Sequence, residues 1–116
     1  MTAGEELELR NAIDDERARI AEQIANLVQS FAGIVDAAEL TSPDDEHDPE
    51  GTTIAYERAQ VSALLRQARD DLESLGHARE RVENGTAQIC ERCGGPIALE
   101  RLLALPVTRL CIRCAS

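Results

Sequence analysis

Four cysteines fall within the last 27 residues of this 116-residue chain, as Cys90-Glu91-Arg92-Cys93, seventeen intervening residues, and then Cys111-Ile112-Arg113-Cys114. A two-residue spacer lets a pair of thiolates take adjacent corners of one tetrahedron, each about 2.3 Å from a zinc ion. Disulfides would need an oxidising compartment, but the chain starts Met1-Thr2-Ala3-Gly4-Glu5-Glu6, acidic where an export signal is basic. A thioredoxin-type pair needs only one C-x-x-C, inside an α/β domain that this chain cannot house. Four-thiolate iron uses similar spacing, yet one Phe, one Tyr and no Trp leave no dry aromatic shell for a redox metal. The pattern reads as one zinc ion held by Cys90, Cys93, Cys111 and Cys114. Four thiolates complete the tetrahedron and leave no corner for water, so the metal is structural and not hydrolytic.

A metal also explains how so short a module can fold. Residues 84–116 bury too little apolar surface to be stable without a staple. Ile97, Leu99, Leu102, Leu103, Leu105, Val107 and Leu110 are the candidate core around the ion, and Pro106 bounds a short helix through Leu99 to Ala104. Gly94 and Gly95 follow the first pair, where a tight turn with unobstructed backbone aims N–H groups at the sulfurs.

The rest of the chain has helical periodicity. Leu9, Ile13, Ile20, Ile24, Leu27, Phe31 and Ile34 keep steps of three and four once Glu16 is allowed in the stripe. Ile54, Val61, Leu65, Ala68, Leu72, Leu75 and Val82 continue the rhythm, with Arg58 and Arg79 filling two positions. With 2% aromatic residues, a β-sandwich is a poor fit and long packed helices are a good one. Between the stripes, Thr41, Ser42 and Pro43 open a break that Pro49 and Gly51 close. The expected fold is mainly α: residues 1–83 form a long antiparallel helical hairpin with a tip loop at 41–51, and residues 84–116 form a four-cysteine zinc module. His77 falls inside the second helix and reads as a surface residue.

Charge narrows the partners. Asp and Glu number 22 against 12 basic residues, all Arg, for a net charge of -10. Phosphate is repelled by such a surface, so sequence-specific DNA binding is not expected. No basic residue lies between Arg19 and Arg58, while Asp44, Asp45, Glu46, Asp48 and Glu50 cluster at the break. A carboxylate cluster of this kind is ordinarily a solvated turn, but at the end of a stiff arm it can be delivered into a partner's cavity. No apolar run approaches the ~20 residues that span a bilayer, and the chain reads as cytoplasmic and monomeric.

The interleaved residues add a further layer. Asn84-Gly85 precedes Cys-x-x-Cys-Gly-x-Pro-Ile, followed by Arg101-Leu102-x-Ala104-x-Pro106 and Leu110-Cys111-x-x-Cys114. This pattern, behind an acidic-tipped hairpin, resembles the DksA/TraR family of four-cysteine zinc-finger regulators of bacterial RNA polymerase. The resemblance implies a regulator that binds polymerase through protein contacts and places its coiled-coil tip in the secondary channel, near the active site. It implies a partner-facing tip at Asp45, Asp48 and Glu50. The family tip is Asp, two residues, Asp, one residue, Ala; both aspartates are matched here, and Glu50 replaces the Ala. Members that respond to guanosine tetraphosphate have a strongly basic second helix, whereas Arg66 and Arg69 here sit among Gln67, Asp70, Asp71, Glu73 and Ser74. Ala87-Gln88 stands in place of the usual aromatic-Gly before the first cysteine.

The competing reading is a zinc-stapled coiled-coil adaptor with no direct action on polymerase. An enzyme is not expected, because the chain has no Ser/His/Asp set, no phosphate-binding glycine loop and no open metal position.

Overall fold

The computed structural model describes residues 1–39 and 49–115. Two long helices, α1 (Ala3–Glu39) and α2 (Pro49–Glu83), are followed by two short ones, α3 (Leu99–Ala104) and α4 (Ile112–Ala115). No helix among the described residues is long and apolar enough to cross a membrane.

A reciprocal cap opens α1. The Thr2 N–H donates to the Glu5 carboxylate at 3.1 Å, and the Glu5 N–H donates to the Thr2 hydroxyl at 3.1 Å. Two otherwise orphaned donors are thereby satisfied. The Thr2 backbone N–H, and then its hydroxyl, hold the Glu5 carboxyl below its ordinary value. Removing the hydroxyl with Thr2→Ala is expected to speed amide exchange at Glu5 roughly five-fold, the equivalent of a lost cap worth ~1 kcal/mol.

Pro49, Glu50 and Gly51, expected to close the tip loop, instead belong to the first turn of α2. Proline suits that place because its fixed φ is already helical and its missing N–H would have no partner there. The tip aspartates Asp45 and Asp48, with Asp44, Glu46 and His47, lie outside the described residues, and Glu50 is placed only by its position in that first turn.

The chain forms two compact units. One combines Met1–Arg19 with Asp71–Ser116, and the other is Ile20–Asp70. The start of α1 therefore groups with the end of α2, and the end of α1 with the start of α2, which is the order of an antiparallel hairpin.

In the first unit the stripe is buried: Ile13 is 0% and Leu9 1% exposed, and Leu75, Ala78 and Val82 join them. Arg79, expected in the stripe, is held at its edge by Asp14, whose carboxylate accepts from Nε at 3.0 Å, and by Glu83 at 2.8 Å. Glu16, also expected there, is half-buried and accepts from Arg19 Nε at 3.0 Å, a bond that holds its carboxyl below the ordinary value.

Ile20 and Ala68 are buried in the second unit, but Ile24, Leu27, Phe31, Ile34, Ile54, Val61 and Leu65 are only half-buried. Two helices alone have no third element to cover the outer edges of their shared stripe. Arg58, expected to fill that stripe, is exposed. A long guanidinium side chain can keep its charged head in water while its stem lies along the stripe. His77 is exposed as expected, between Glu73 at 3.7 Å and Glu80 at 3.8 Å.

Candidate metal centre

A glycine cap turns the chain from α2 into the metal module. The Thr86 N–H donates to the Arg81 carbonyl at 2.9 Å and the Gly85 N–H to the Val82 carbonyl at 3.2 Å, with Gly85 at φ 75. This is a Schellman motif, and its left-handed residue is where an L side chain is strained.

The next ten residues form a small loop around the first cysteine pair. Ile89 and Pro96 make an antiparallel bridge, and the Ile97 N–H donates to the Gln88 carbonyl at 2.7 Å. At the end of the loop the Cys90 N–H donates to the Gly95 carbonyl at 2.8 Å, and the Gly95 N–H points to Cys93 Sγ at 3.4 Å. Of the two glycines expected to face the sulfurs, only Gly95 does so; the Gly94 N–H goes to the Cys90 carbonyl at 2.9 Å. A Cβ at Gly95 would lie 3.2 Å from Cys93 Sγ, so the close approach of backbone to sulfur favours glycine there.

The second pair is carried to the first by α3. Leu102, 1% exposed, anchors that helix, which ends at Ala104 ahead of Pro106, as the sequence leads one to expect. Ile97 is buried and Leu99, Leu103 and Leu110 are half-buried, whereas Leu105 and Val107, expected in this core, are 50% and 42% exposed. With the ion taking the central volume, the module's apolar core shrinks to a few side chains.

All four sulfur atoms lie within 4.8 Å of one another, and Cys93 and Cys111 are 3.8 Å apart. Thiolates on a tetrahedron with zinc–sulfur bonds of ~2.3 Å are separated by about 3.8 Å. A disulfide brings its sulfurs to ~2.05 Å, so this spacing belongs to metal ligands. The donor set fits one structural zinc.

The protonation pattern agrees with that fit. Backbone N–H groups, that of Cys111 first and of Cys93 second, lower the Cys90 thiol to about 6. The N–H of Cys114 lowers Cys111 in the same way. Cys114 is pushed up to about 12, chiefly by its hydrogen bond to Cys111 and then by burial. Without metal, the hydrogen bond to Cys111 and then burial favour the protonated form of Cys114. Zinc binding at neutral pH must displace that proton, and affinity therefore falls as pH falls. Calorimetry of zinc binding at pH 7 in two buffers of different ionisation enthalpy is expected to show net proton release.

Two arginines that spacing alone does not single out fix the second pair. Arg101 Nε donates to the Leu110 carbonyl at 3.0 Å, and Arg92 donates to the Cys114 carbonyl at 3.1 Å. Both are charge-assisted bonds to backbone beside a ligand, the type of outer contact that orients thiolates. Arg101→Ala is expected to weaken zinc binding roughly 10- to 100-fold in a chelator competition, with zinc stoichiometry unchanged at saturation.

Residues 85–116 match the prokaryotic DksA/TraR C4-type zinc finger, which covers the cap, both cysteine pairs and α3 and α4. The chain belongs to the DksA/TraR family. Chains similar to this one differ widely in length. An 8.5 kDa protein encoded in the gpA 5′ region of Escherichia phage 186 is 36% identical over 52 residues, 45% of this chain and 69% of that one. An Aquifex aeolicus protein is 50% identical over 45 residues, 39% of this chain and 31% of its own length. General stress protein 16O of Bacillus subtilis is 29% identical over 77 residues, 66% of this chain and 47% of its own. The chain thus spans only a third to a half of the length of the last two relatives. The fold is similar to that of transcription factor DksA2 from Pseudomonas aeruginosa, with a TM-score of 0.85 at 23% identity, over 99% of this chain and 83% of that chain.

Proposed function

We infer that this protein is a non-enzymatic, cytoplasmic transcription regulator that binds bacterial RNA polymerase through protein contacts and brings the acidic segment around Asp45, Asp48 and Glu50 into the secondary channel. The observation that carries this reading is the combination of a DksA/TraR finger with a fold like that of a transcription factor over nearly the whole chain. Charge supports protein contacts over nucleic acid, since a chain with a net charge of -10 gains little from a phosphate backbone. The finger also leaves Leu105, Val107 and Ile112 exposed, the last at 72%, and exposed aliphatic groups of this kind suit a protein surface.

In this reading the four thiolates have no chemical step of their own. They hold the module's shape, and the ion they bind supplies cross-linking and charge neutralisation. Affinity comes from the finger and the helix sides. The tip carboxylates face an active site that itself uses carboxylates and Mg²⁺, so they are better suited to perturbing that site than to holding on.

The test is a charge-only change. Replacing Asp45 and Asp48 together by Asn keeps size and turn propensity, and core-polymerase affinity is expected to stay within roughly three-fold while the effect on transcription is lost or reversed. A double variant that regulates as the parent does would leave the tip a solvated loop. Recovery of another coiled-coil protein in place of polymerase from an unfractionated extract would favour an adaptor.

A further inference from the structure

Below the Schellman cap, Arg81, Thr86, Ala87, Ile89, Glu91 and Arg109 line a cleft of about 160 Å³. The arginines are 28 residues apart in sequence. Arg81 reaches the second segment through the Val107 carbonyl, and the Glu91 N–H fixes that segment to the first cysteine loop by donating to the Arg109 carbonyl at 3.0 Å. Charge is left over. Glu91 accepts from Arg109 at 3.4 Å, whereas Arg81 makes no ion pair among the described residues. Among the described residues the guanidinium of Arg81 donates only to the Val107 carbonyl, at a long 3.4 Å. Burial and then the like charge of Arg109 both work against the Arg81 cation, and Glu91 offsets this only in part.

The surroundings sharpen the contrast. The chain as a whole is strongly acidic, yet residues 84–116 carry Arg92, Arg101, Arg109 and Arg113 against Glu91 and Glu100. Arg92 and Arg101 are engaged with backbone carbonyls beside the metal ligands. Arg81 and Arg109 are therefore the pair that faces an open recess.

We propose that the Arg81–Arg109 cleft receives one carboxylate side chain from an acidic segment of a protein partner. Two arginines and one glutamate leave a single positive charge, which one carboxylate neutralises and a dianionic phosphate would overshoot against Glu91. The wall supports the same choice. Ala87 is buried and Ile89 is 47% exposed, so the methylenes of an Asp or Glu, or an aliphatic neighbour, meet apolar surface while the head meets the guanidinium groups. Polar heads set on an apolar floor in a recess select a side chain in a peptide context over a free ion. This proposal does not depend on which protein carries the segment, and its probe contains no polymerase, so its failure leaves the polymerase reading standing.

The test uses the zinc-loaded full chain, with the Arg81 and Arg109 Nε–Hε resonances followed by NMR. It is titrated with a blocked Gly-Asp-Leu-Gly peptide, the matched Gly-Asn-Leu-Gly peptide, and inorganic phosphate. The Asp peptide is expected to shift both resonances saturably at millimolar concentration, at least 10-fold more tightly than the Asn peptide or phosphate. Arg81→Gln is expected to abolish the response while resonances around the four cysteines stay in place, and Arg81→Lys to restore part of it. Four results overturn the proposal: no shift in the parent, an equal response to the Asn peptide, tighter binding of phosphate, or an unchanged response in Arg81→Gln. A fifth is a concentration-dependent shift without peptide, which would mean that a second copy's own carboxylates fill the cleft.

Discussion

Stripping zinc from this protein, by chelation or by Cys93→Ser, is expected to unfold the C-terminal module while most of the helical signal survives. Structural zinc in small finger peptides contributes ~10–16 kcal/mol of apparent folding free energy at neutral pH, far more than a core of Ile97, Leu102 and a few half-buried leucines can replace. The helices of the module are short, six and four residues, against 37 and 35 in α1 and α2. Far-ultraviolet ellipticity should therefore fall by a small fraction, and amide dispersion from residues 86–115 should collapse. Cys93 is the informative ligand to change because it is exposed. Its replacement by Ser removes a thiolate without opening a cavity, so a large effect would report the metal and not packing. Unchanged thermal unfolding in that variant would refute a structural role for the ion.

A second large loss is expected in the helix pair of the first unit. Ile13→Ala removes three carbon atoms from a side chain with no exposed surface, beside Leu9, which is almost as closed. Deletions of this kind in a packed core cost about 2–5 kcal/mol, which in a chain of this size lowers the unfolding temperature by roughly 10 °C or more. Ile24→Ala makes the same chemical change in the second unit, where the side chain is only half-buried. Its cost should be well under half as large, because part of that surface already meets water. Differential scanning calorimetry of both variants, zinc-loaded, checks the pair. Equal losses would mean that the two units share one uniformly packed stripe.

The contrast between Ile13 and Ile24 also marks where sequence stops being sufficient. Both obey the same period, and periodicity identifies the inward face of a helix without saying how much lies across from it. Arg58 and Arg79 show the same boundary. Each occupies a stripe position, but Arg79 meets Asp14 from the other helix and Arg58 is exposed. Such pairing depends on register between α1 and α2, which no single stripe encodes.

The metal site was legible because its constraint is local: a two-residue spacer limits how a thiolate pair can point, whatever the rest of the chain does. Pro106 was legible for a similar reason, since its ring forbids continuing α3. Pro49 was misjudged as a loop residue because the same ring favours both a loop and the first position of a helix. The cleft of Arg81 and Arg109 was out of reach. Its members are brought together by the glycine cap and by the cysteine cluster acting jointly, and nothing in either local sequence marks the encounter.

The depressed carboxyls give a modest acid dependence with a fixed sign. Glu5 and Glu16 lie below the ordinary value of 4.5, so their contribution is complete above that value and is lost as pH falls through the lowered values. Zinc release acts in the same direction and begins at higher pH, because ligand thiols must stay deprotonated. Acid unfolding of the module is therefore expected to precede loss of helix from α1, as followed by zinc release and ellipticity in one titration.

Multi-round transcription by purified bacterial RNA polymerase, with and without the zinc-loaded protein, tests the central claim most directly. The account predicts a saturable change in transcript yield that disappears when Cys93→Ser protein is used at the same concentration. Transcript yields identical to the protein-free reaction at saturating concentration, on promoters of differing open-complex stability, would contradict it.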